Sequence, residues 1–209
     1  MARPIILSNN ELQVGLSRHG EVSDVYFPYV GLENHTIGGN TRHRVGVWAD
    51  GRVSWLSDDG WSCKFSYHHE ALIGHIVAVN EQIGIMLEFD DAVDTDFNVL
   101  LRTIHVVNLR PETRDVRLFM HQAFIIGDSG SSTDTVQALP DDNAVIHYRG
   151  RRVFAASGQV RLERIIFARN DQPCTIMNRF YLLFLLLLAM PAWSQGATQI
   201  GRASCRERV

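Results

Sequence analysis

Cysteine is scarce in this chain, and so is any run of one charge sign. The 209 residues include only three cysteines, Cys63, Cys174 and Cys205, far apart and odd in number. They fit neither a disulfide framework nor a CxxC metal pair, and read as unpaired thiols of a reducing compartment. Charged residues make up 21 % of the chain and the formal charge is −3. No basic stripe of the kind that nucleic acid requires occurs in the first 158 residues. The N-terminus, Met1-Ala2-Arg3-Pro4-Ile5-Ile6-Leu7, turns polar at Ser8-Asn9-Asn10 before a long apolar stretch develops. Without a signal peptide there, the expected location is the cytoplasm. Sustained i, i+3, i+4 apolar spacing is also absent before residue 160.

What the chain does have is apolar residues, 45 % of the total, enough to bury a core. From Leu12 to Ala156 short segments rich in Val, Ile, Phe, Tyr and Trp alternate with Gly, Asp, Asn and Pro, the pattern of strands and turns. Arg44-Val45-Gly46-Val47-Trp48 and Arg52-Val53-Ser54-Trp55-Leu56 flank Ala49-Asp50-Gly51, and Asp-Gly tolerates the positive φ of a tight hairpin. Trp61 to Tyr67, Ala71 to Val79 and Gln82 to Phe89 continue as a meander, with a turn expected at Asn80-Glu81. Asn98 to Leu109 and Thr113 to Ile126 read as two longer strands joined through Arg110-Pro111-Glu112. In the second, Val116, Leu118 and Met120 share one face while Arg117, Phe119, His121 and Ala123 share the other. One apolar and one mixed face implies a sheet packed on a second layer. The expected fold is an all-β antiparallel sandwich.

The pattern changes after Gly158. Residues 159–176 carry no clear period. Met177-Asn178-Arg179, the apolar run Phe180 to Met190, and Pro191-Ala192-Trp193-Ser194-Gln195-Gly196-Ala197 then follow. A charged start, an apolar stretch within the usual ~7–15 residues and a small-residue end make the anatomy of a signal peptide. The run is short for a membrane span, which needs ~17–25 apolar residues. It is expected to form a short C-terminal helix outside the β domain, and 177–199 reads as the signal peptide of a different protein. A membrane tether and a buried core helix are the competing readings of Phe180 to Met190. Residues 200–209, Ile-Gly-Arg-Ala-Ser-Cys-Arg-Glu-Arg-Val, resemble a translated sequencing adaptor. A chimeric fragment is therefore expected.

Several constellations invite chemistry. His68 and His69, with His75 nearby, suggest a metal, but adjacent strand residues point to opposite faces and no Cys or carboxylate stands at a recognised ligand spacing. Asp94, Asp96 and Asn98 have the first spacings of a calcium loop, yet Val99 takes the required glycine position and His105 the glutamate position, leaving a solvated turn as the reading. Glu33, Asp58, Asp59, Glu70, Glu88 and Asp128 are carboxylates with nothing to pair any two of them. Gly127-Asp128-Ser129-Gly130-Ser131-Ser132 lacks the GK[ST] ending of a phosphate loop. Asn34-His35-Thr36 fits a glycosylation sequon, which matters only in a secretory compartment. Tyr26, Tyr29, Trp48, Trp55 and Trp61 could stack on sugar rings, though aromatics at strand positions belong more often to a core or a domain interface. These residues assign no catalytic, cofactor-binding or metal-ligating position and call for no cofactor.

Arg3-Pro4-Ile5-Ile6-Leu7-Ser8-Asn9-Asn10-Glu11-Leu12, Tyr26-Phe27-Pro28-Tyr29-Val30-Gly31-Leu32-Glu33-Asn34-His35 and Arg42-His43-Arg44-Val45-Gly46-Val47-Trp48 open a colinear series. Phe119-Met120-His121-Gln122-Ala123-Phe124-Ile125-Ile126-Gly127-Asp128 and His147-Tyr148-Arg149-Gly150-Arg151-Arg152 complete it. The series resembles the start of bacterial glycoside hydrolase family 15 enzymes, the glucoamylase, glucodextranase and trehalase group. The likeness runs through residues 1–158. It implies a non-catalytic N-terminal β-sandwich, incomplete here, whose partner is a catalytic (α/α)₆ barrel. In such enzymes one carboxyl protonates the leaving oxygen while another activates water, ~6.5–9.5 Å away. Nothing in this chain matches the barrel, so the fragment is expected to be inactive alone. The resemblance leaves open whether the parent substrate is α-1,4-glucan, α-1,6-glucan or trehalose. An independent α-glucan-binding sandwich is the alternative. Nucleic acid is not an expected partner, and a membrane is disfavoured.

The chimeric reading makes a direct prediction. Amplifying the source DNA across codons 150 to 209 should fail to return one unbroken native product, and an unbroken product carrying this junction would refute it.

Overall fold

A computed structural model describes residues 3–36, 43–126, 134–163 and 177–185. Among them the regular elements are antiparallel strands, interrupted by one 3-10 turn at Pro140–Asp142. The expected all-β sandwich is what forms. The Gly127–Ser132 segment with Asp128, the thiols Cys174 and Cys205, and residues 164–176 and 186–209 lie outside the described residues.

Two small sheets make one side. The first has β1 (Ile5–Ser8), β2 (Gln13–Leu16) and β3 (Val22–Tyr26) in that order. In the second, β4 (Arg44–Ala49) lies between β5 (Arg52–Trp55) and β10 (Val116–His121). An isolated bridge from Val22 to His43 stitches the two together. The large sheet contains β6 (Ser62–Tyr67), β7 (Gly74–Asn80), β8 (Ile85–Val93) and β9 (Val99–Asn108). It is completed by β11 (Thr135–Leu139), β12 (Ala144–Arg149), β13 (Arg152–Glu163) and β14 (Met177–Leu185), in the order β11-β12-β13-β14-β9-β8-β7-β6. β9 and β10 follow each other in the chain but belong to different sheets.

The sequence alternation explains how the layers meet. Along β8, Ile85, Leu87, Phe89 and Asp91 are buried, while Met86, Glu88 and Asp90 are half-buried or exposed. β7 shows the same alternation. Leu7, Val14, Val47, Ile76, Leu87, Ile104 and Phe154, drawn from all three sheets, merge into one core. Each such side chain contributes about 1.5–3 kcal/mol when removed from water.

The β4–β5 hairpin forms where Asp-Gly predicts it. Asp50 and Gly51 have φ of 52° and 77°, the two positive values of a primed turn. Asp50 then accepts hydrogen bonds from Arg110 at 2.9 Å and Arg114 at 2.7 Å, tying the hairpin tip to the β9–β10 connection.

Inside the core, among the described residues, sits a fully buried ion pair. Asp91 of β8 faces Arg102 of β9 in register, and two hydrogen bonds of 2.7 Å join them. Arg102 also donates to the Gly20 carbonyl at 3.0 Å and lies 5.2 Å from the Phe89 ring centre.

The apolar run after residue 177 departs from expectation. The short C-terminal helix expected there is not what forms over its first part: Met177–Leu185 is strand β14, with nine registered pairs to β13 and nine to β9. A short apolar run fits a helix or a buried strand equally well by periodicity. The tertiary setting decides it, because β9 and β13 each offer an open edge whose backbone groups need partners. β13 itself continues past Gly158 to Glu163.

Two predictions follow from these pairings. Replacing Asp91 with Ala strands a buried guanidinium and should cost about 3–5 kcal/mol, read by chemical denaturation; a loss below 1 kcal/mol would show that the pair is solvated (roughly the exposed-pair range). Cutting the chain after residue 158 exposes the edges of β9 and β13, so purified residues 1–158 should be poorly soluble or lack a cooperative melt. A sharp melt would contradict this.

Candidate functional site

Trp48, Trp55 and Phe119 come together on the outward face of the β10-β4-β5 sheet. Val45 and Val47 point into the core, so Arg44, Gly46 and Trp48 face away from it. The register sets Arg117 opposite Trp48, and both Phe119 and Trp55 beside Gly46. Gly46 is required here: an added Cβ would stand 2.7 Å from Cε3 of Trp55, so the indole lies across the bare backbone. Arg44 and Arg117 cover the two indoles, with guanidinium carbons 4.6 Å and 4.8 Å from the ring centres of Trp55 and Trp48. Phe119 and Val53 are exposed. The face is thus aromatic with a cationic cover worth about 0.5–1 kcal/mol per contact, held in place by hydrogen bonds from Arg44 to Ser57 at 3.1 Å and from Arg117 to Asp115 at 3.0 and 2.8 Å.

The remaining aromatics serve otherwise. Trp61 packs on the core and donates its indole N–H to Ser54 at 2.9 Å. Tyr26 is half-buried in β3, and Tyr29 stands exposed in the following turn. The five sequence-selected aromatics therefore do not make one platform, while Phe119 joins Trp48 and Trp55 only through the β4–β10 pairing.

The carboxylates are dispersed among structural duties. Glu33 pairs with Arg152, Asp58 accepts from the Trp55 backbone N–H at 2.8 Å, and Glu88 meets His105 at 3.2 Å. Asp59 is exposed, and Glu70 lies 3.7 Å from His69 at an exposed turn. Asp94 accepts from the backbone N–H groups of Asp96 and Phe97, both at 2.9 Å, making the β8–β9 turn that stands in place of a calcium loop. A cleft of about 280 Å³ beside the hairpin tip is lined by Ala49, Asp50, Arg52, Gln82, Ile83 and Arg110. Asp50 is the carboxylate among these lining residues, and Arg110 and Arg114 already occupy it. The Asn34 of the sequon is committed internally, accepting from Val25 and Thr36 and donating to Asp24 at 3.0 Å. Cys63 is a free, half-buried thiol whose pKa burial pushes up, which keeps it protonated and unreactive.

A second arrangement joins residues that the sequence separates. His68, just past β6, His75 of β7 and Asp90 of β8 converge on the outward face of the large sheet. Asp90 Oδ1 lies 2.8 Å from His68 Nε2 and 2.8 Å from His75 Nδ1. The imidazoles meet edge to face at 5.3 Å between centres. Burial raises the Asp90 pKa, but the two histidines outweigh it and hold the carboxyl below its usual range. His69 points elsewhere and is almost wholly exposed. The adjacent pair thus divides at the turn that follows β6, and Asp90 is the ligand-type residue that sequence reasoning did not attach to the histidines. The reason is the turn. An Asn80-Glu81 turn would set His75 opposite Met86, whereas the actual hairpin pairs Asn80 with Ile85 and so His75 with Asp90. The available signal was Gly84, whose φ is 63°.

No family model matches the chain. An uncharacterized glycosyl hydrolase of Methanocaldococcus jannaschii is 27 % identical over 158 residues, 76 % of this chain and 24 % of that protein. Among solved structures, a bacterial glucoamylase complexed with acarbose is similar with a TM-score of 0.63 at 13 % identity, covering 88 % of this chain and 30 % of that one. The chain is homologous to part of a glycosyl hydrolase and carries the β-fold of part of a glucoamylase. It spans about a quarter of the first protein and under a third of the second.

Proposed function

We propose that this chain is the non-catalytic β-sandwich of a family 15 glycoside hydrolase, which orients and supports a catalytic (α/α)₆ barrel lying outside these residues. The observation that carries this reading is the 158-residue homologous stretch, which fills 76 % of this chain but 24 % of a glycosyl hydrolase. The five colinear sequence blocks supply the family. In the whole enzyme the barrel hydrolyses α-glucosides by direct attack of water, without an organic cofactor, and the sandwich contributes no acid or base.

The Trp48–Phe119–Trp55 face is the surface we assign to the barrel. The Trp55 and Trp48 indoles lie under Arg44 and Arg117, and Phe119 is the uncovered ring of the face. Aromatic and arginine side chains are also the residues enriched at protein interfaces. Among the described residues no helix is long and apolar enough to cross a membrane. The cytoplasm is the proposed compartment, and residues 177–199 and 200–209 are proposed to be foreign segments, of which Met177–Leu185 fills the place between β9 and β13 that a strand of the parent enzyme would take.

Two measurements on the purified chain test the proposal. No hydrolysis of α-glucosides is expected, and no retardation on native gels containing soluble starch or dextran. Retardation abolished by Trp55→Ala would overturn the scaffold reading in favour of an independent carbohydrate-binding module. Hydrolysis by the chain alone would refute the non-catalytic assignment.

A further inference from the structure

We propose that His68, His75 and Asp90 bind a first-row transition-metal dication, zinc being the type case. The three residues each offer one ligand atom, and these atoms lie within 4.8 Å of one another. Tetrahedral zinc holds nitrogen at ~2.0–2.1 Å and carboxylate oxygen at ~2.0–2.2 Å, which spaces the ligand atoms roughly 3.3–3.5 Å apart. The two present nitrogen–oxygen separations are 2.8 Å, so each must open by about half an ångström to admit the ion. All three side chains are partly exposed and have room for that adjustment.

The convergence is set by the backbone. His75 and Asp90 are registered partners across β7 and β8, and Ser66 is the registered partner of His75 on β6. His68, two residues beyond Ser66, therefore rises on the same face. Its position is fixed by the hydrogen bond from its N–H to the Ile73 carbonyl at 2.9 Å and by a turn in which Glu70 takes φ of 62°. The ligand atoms are gathered before any ion arrives, which lowers the ordering cost of binding.

Donor type selects the metal. Two imidazole nitrogens with one carboxylate suit zinc, copper or nickel, while calcium and magnesium prefer all-oxygen sets. Three protein ligands leave a coordination position for water or for a group from a partner. β6 is the edge strand of the large sheet, so a bound ion would clip the β6–β7 hairpin end to β8. The proposal stands on these residues alone and does not depend on the glycoside hydrolase reading.

The test is zinc titration of the full chain by calorimetry at pH 7.5, with His68→Ala, His75→Ala, Asp90→Ala and His69→Ala in parallel. Wild type should take up zinc at this site, undisturbed by excess Mg²⁺ or Ca²⁺. Each of the first three variants should weaken binding roughly tenfold or more, the least that loss of a direct ligand implies when outer partners alone are worth 10–100-fold. His69→Ala should leave it unchanged. Equal zinc affinity in wild type and the first three variants would overturn the proposal. Diethylpyrocarbonate footprinting of the wild type gives an answer that needs no variant to fold. Zinc should protect His68 and His75 while His69 continues to react, and modification of His68 and His75 at the zinc-free rate would overturn the assignment.

Discussion

The buried pairing of Asp91 with Arg102 constrains how the rest of the chain can be arranged. Two charges taken out of water are tolerated only when their hydrogen-bonding groups are answered, and here both carboxylate oxygens receive guanidinium hydrogens. Answering them requires β8 and β9 to sit in one register. The third contact, from Arg102 to the Gly20 carbonyl, binds the large sheet to the loop between β2 and β3. The pair therefore relates two sheets that share no strand. Its value lies in excluding other registers, since a slip of one residue between β8 and β9 would turn one charge to the opposite face and leave the other buried without its partner.

That same register distributes chemistry to the outside. With Asp91 turned inward, Asp90 must face outward, where it meets His75 and His68. On the smaller sheet the inward Val45 and Val47 force Arg44, Gly46 and Trp48 outward by the same period. Polar and aromatic residues thus reach the two outer surfaces because the core claims the alternate positions. The outer face of the large sheet offers nitrogen and oxygen ligands, while that of the smaller sheet offers rings and guanidinium groups. Among the described residues Glu33 and Asp50 are engaged by arginines, Glu88 by His105 and Asp94 by its own turn.

Much of the fold was legible because its signals are local. Asp50-Gly51 marked a hairpin by composition, and the alternation of Val116, Leu118 and Met120 against Arg117, Phe119 and His121 marked a two-faced strand. The β7–β8 hairpin was legible only in part. Composition marks Asn80 as a turn residue, yet it is the last residue of β7 and is buried, its side-chain oxygen accepting from the backbone N–H groups of Gln82 and Ile83. That displacement moved the partner of His75 from Met86 to Asp90 and hid the three-residue cluster.

The sequence by itself determined the class of fold, the alternation of faces and the kinship to a glycosyl hydrolase, because these depend on residue order over short spans. Only the tertiary structure decided which strands share a sheet, since β9 and β10 are neighbours in the chain and lie in different sheets. It also decided that Met177–Leu185 is a strand, where open edges of β9 and β13 supply partners that no local pattern encodes. The joining of His68 and His75 to Asp90, and of Trp48 to Phe119, is likewise tertiary. Register across a turn depends on hydrogen bonds between residues far apart, and a one-dimensional pattern carries the faces without the partners.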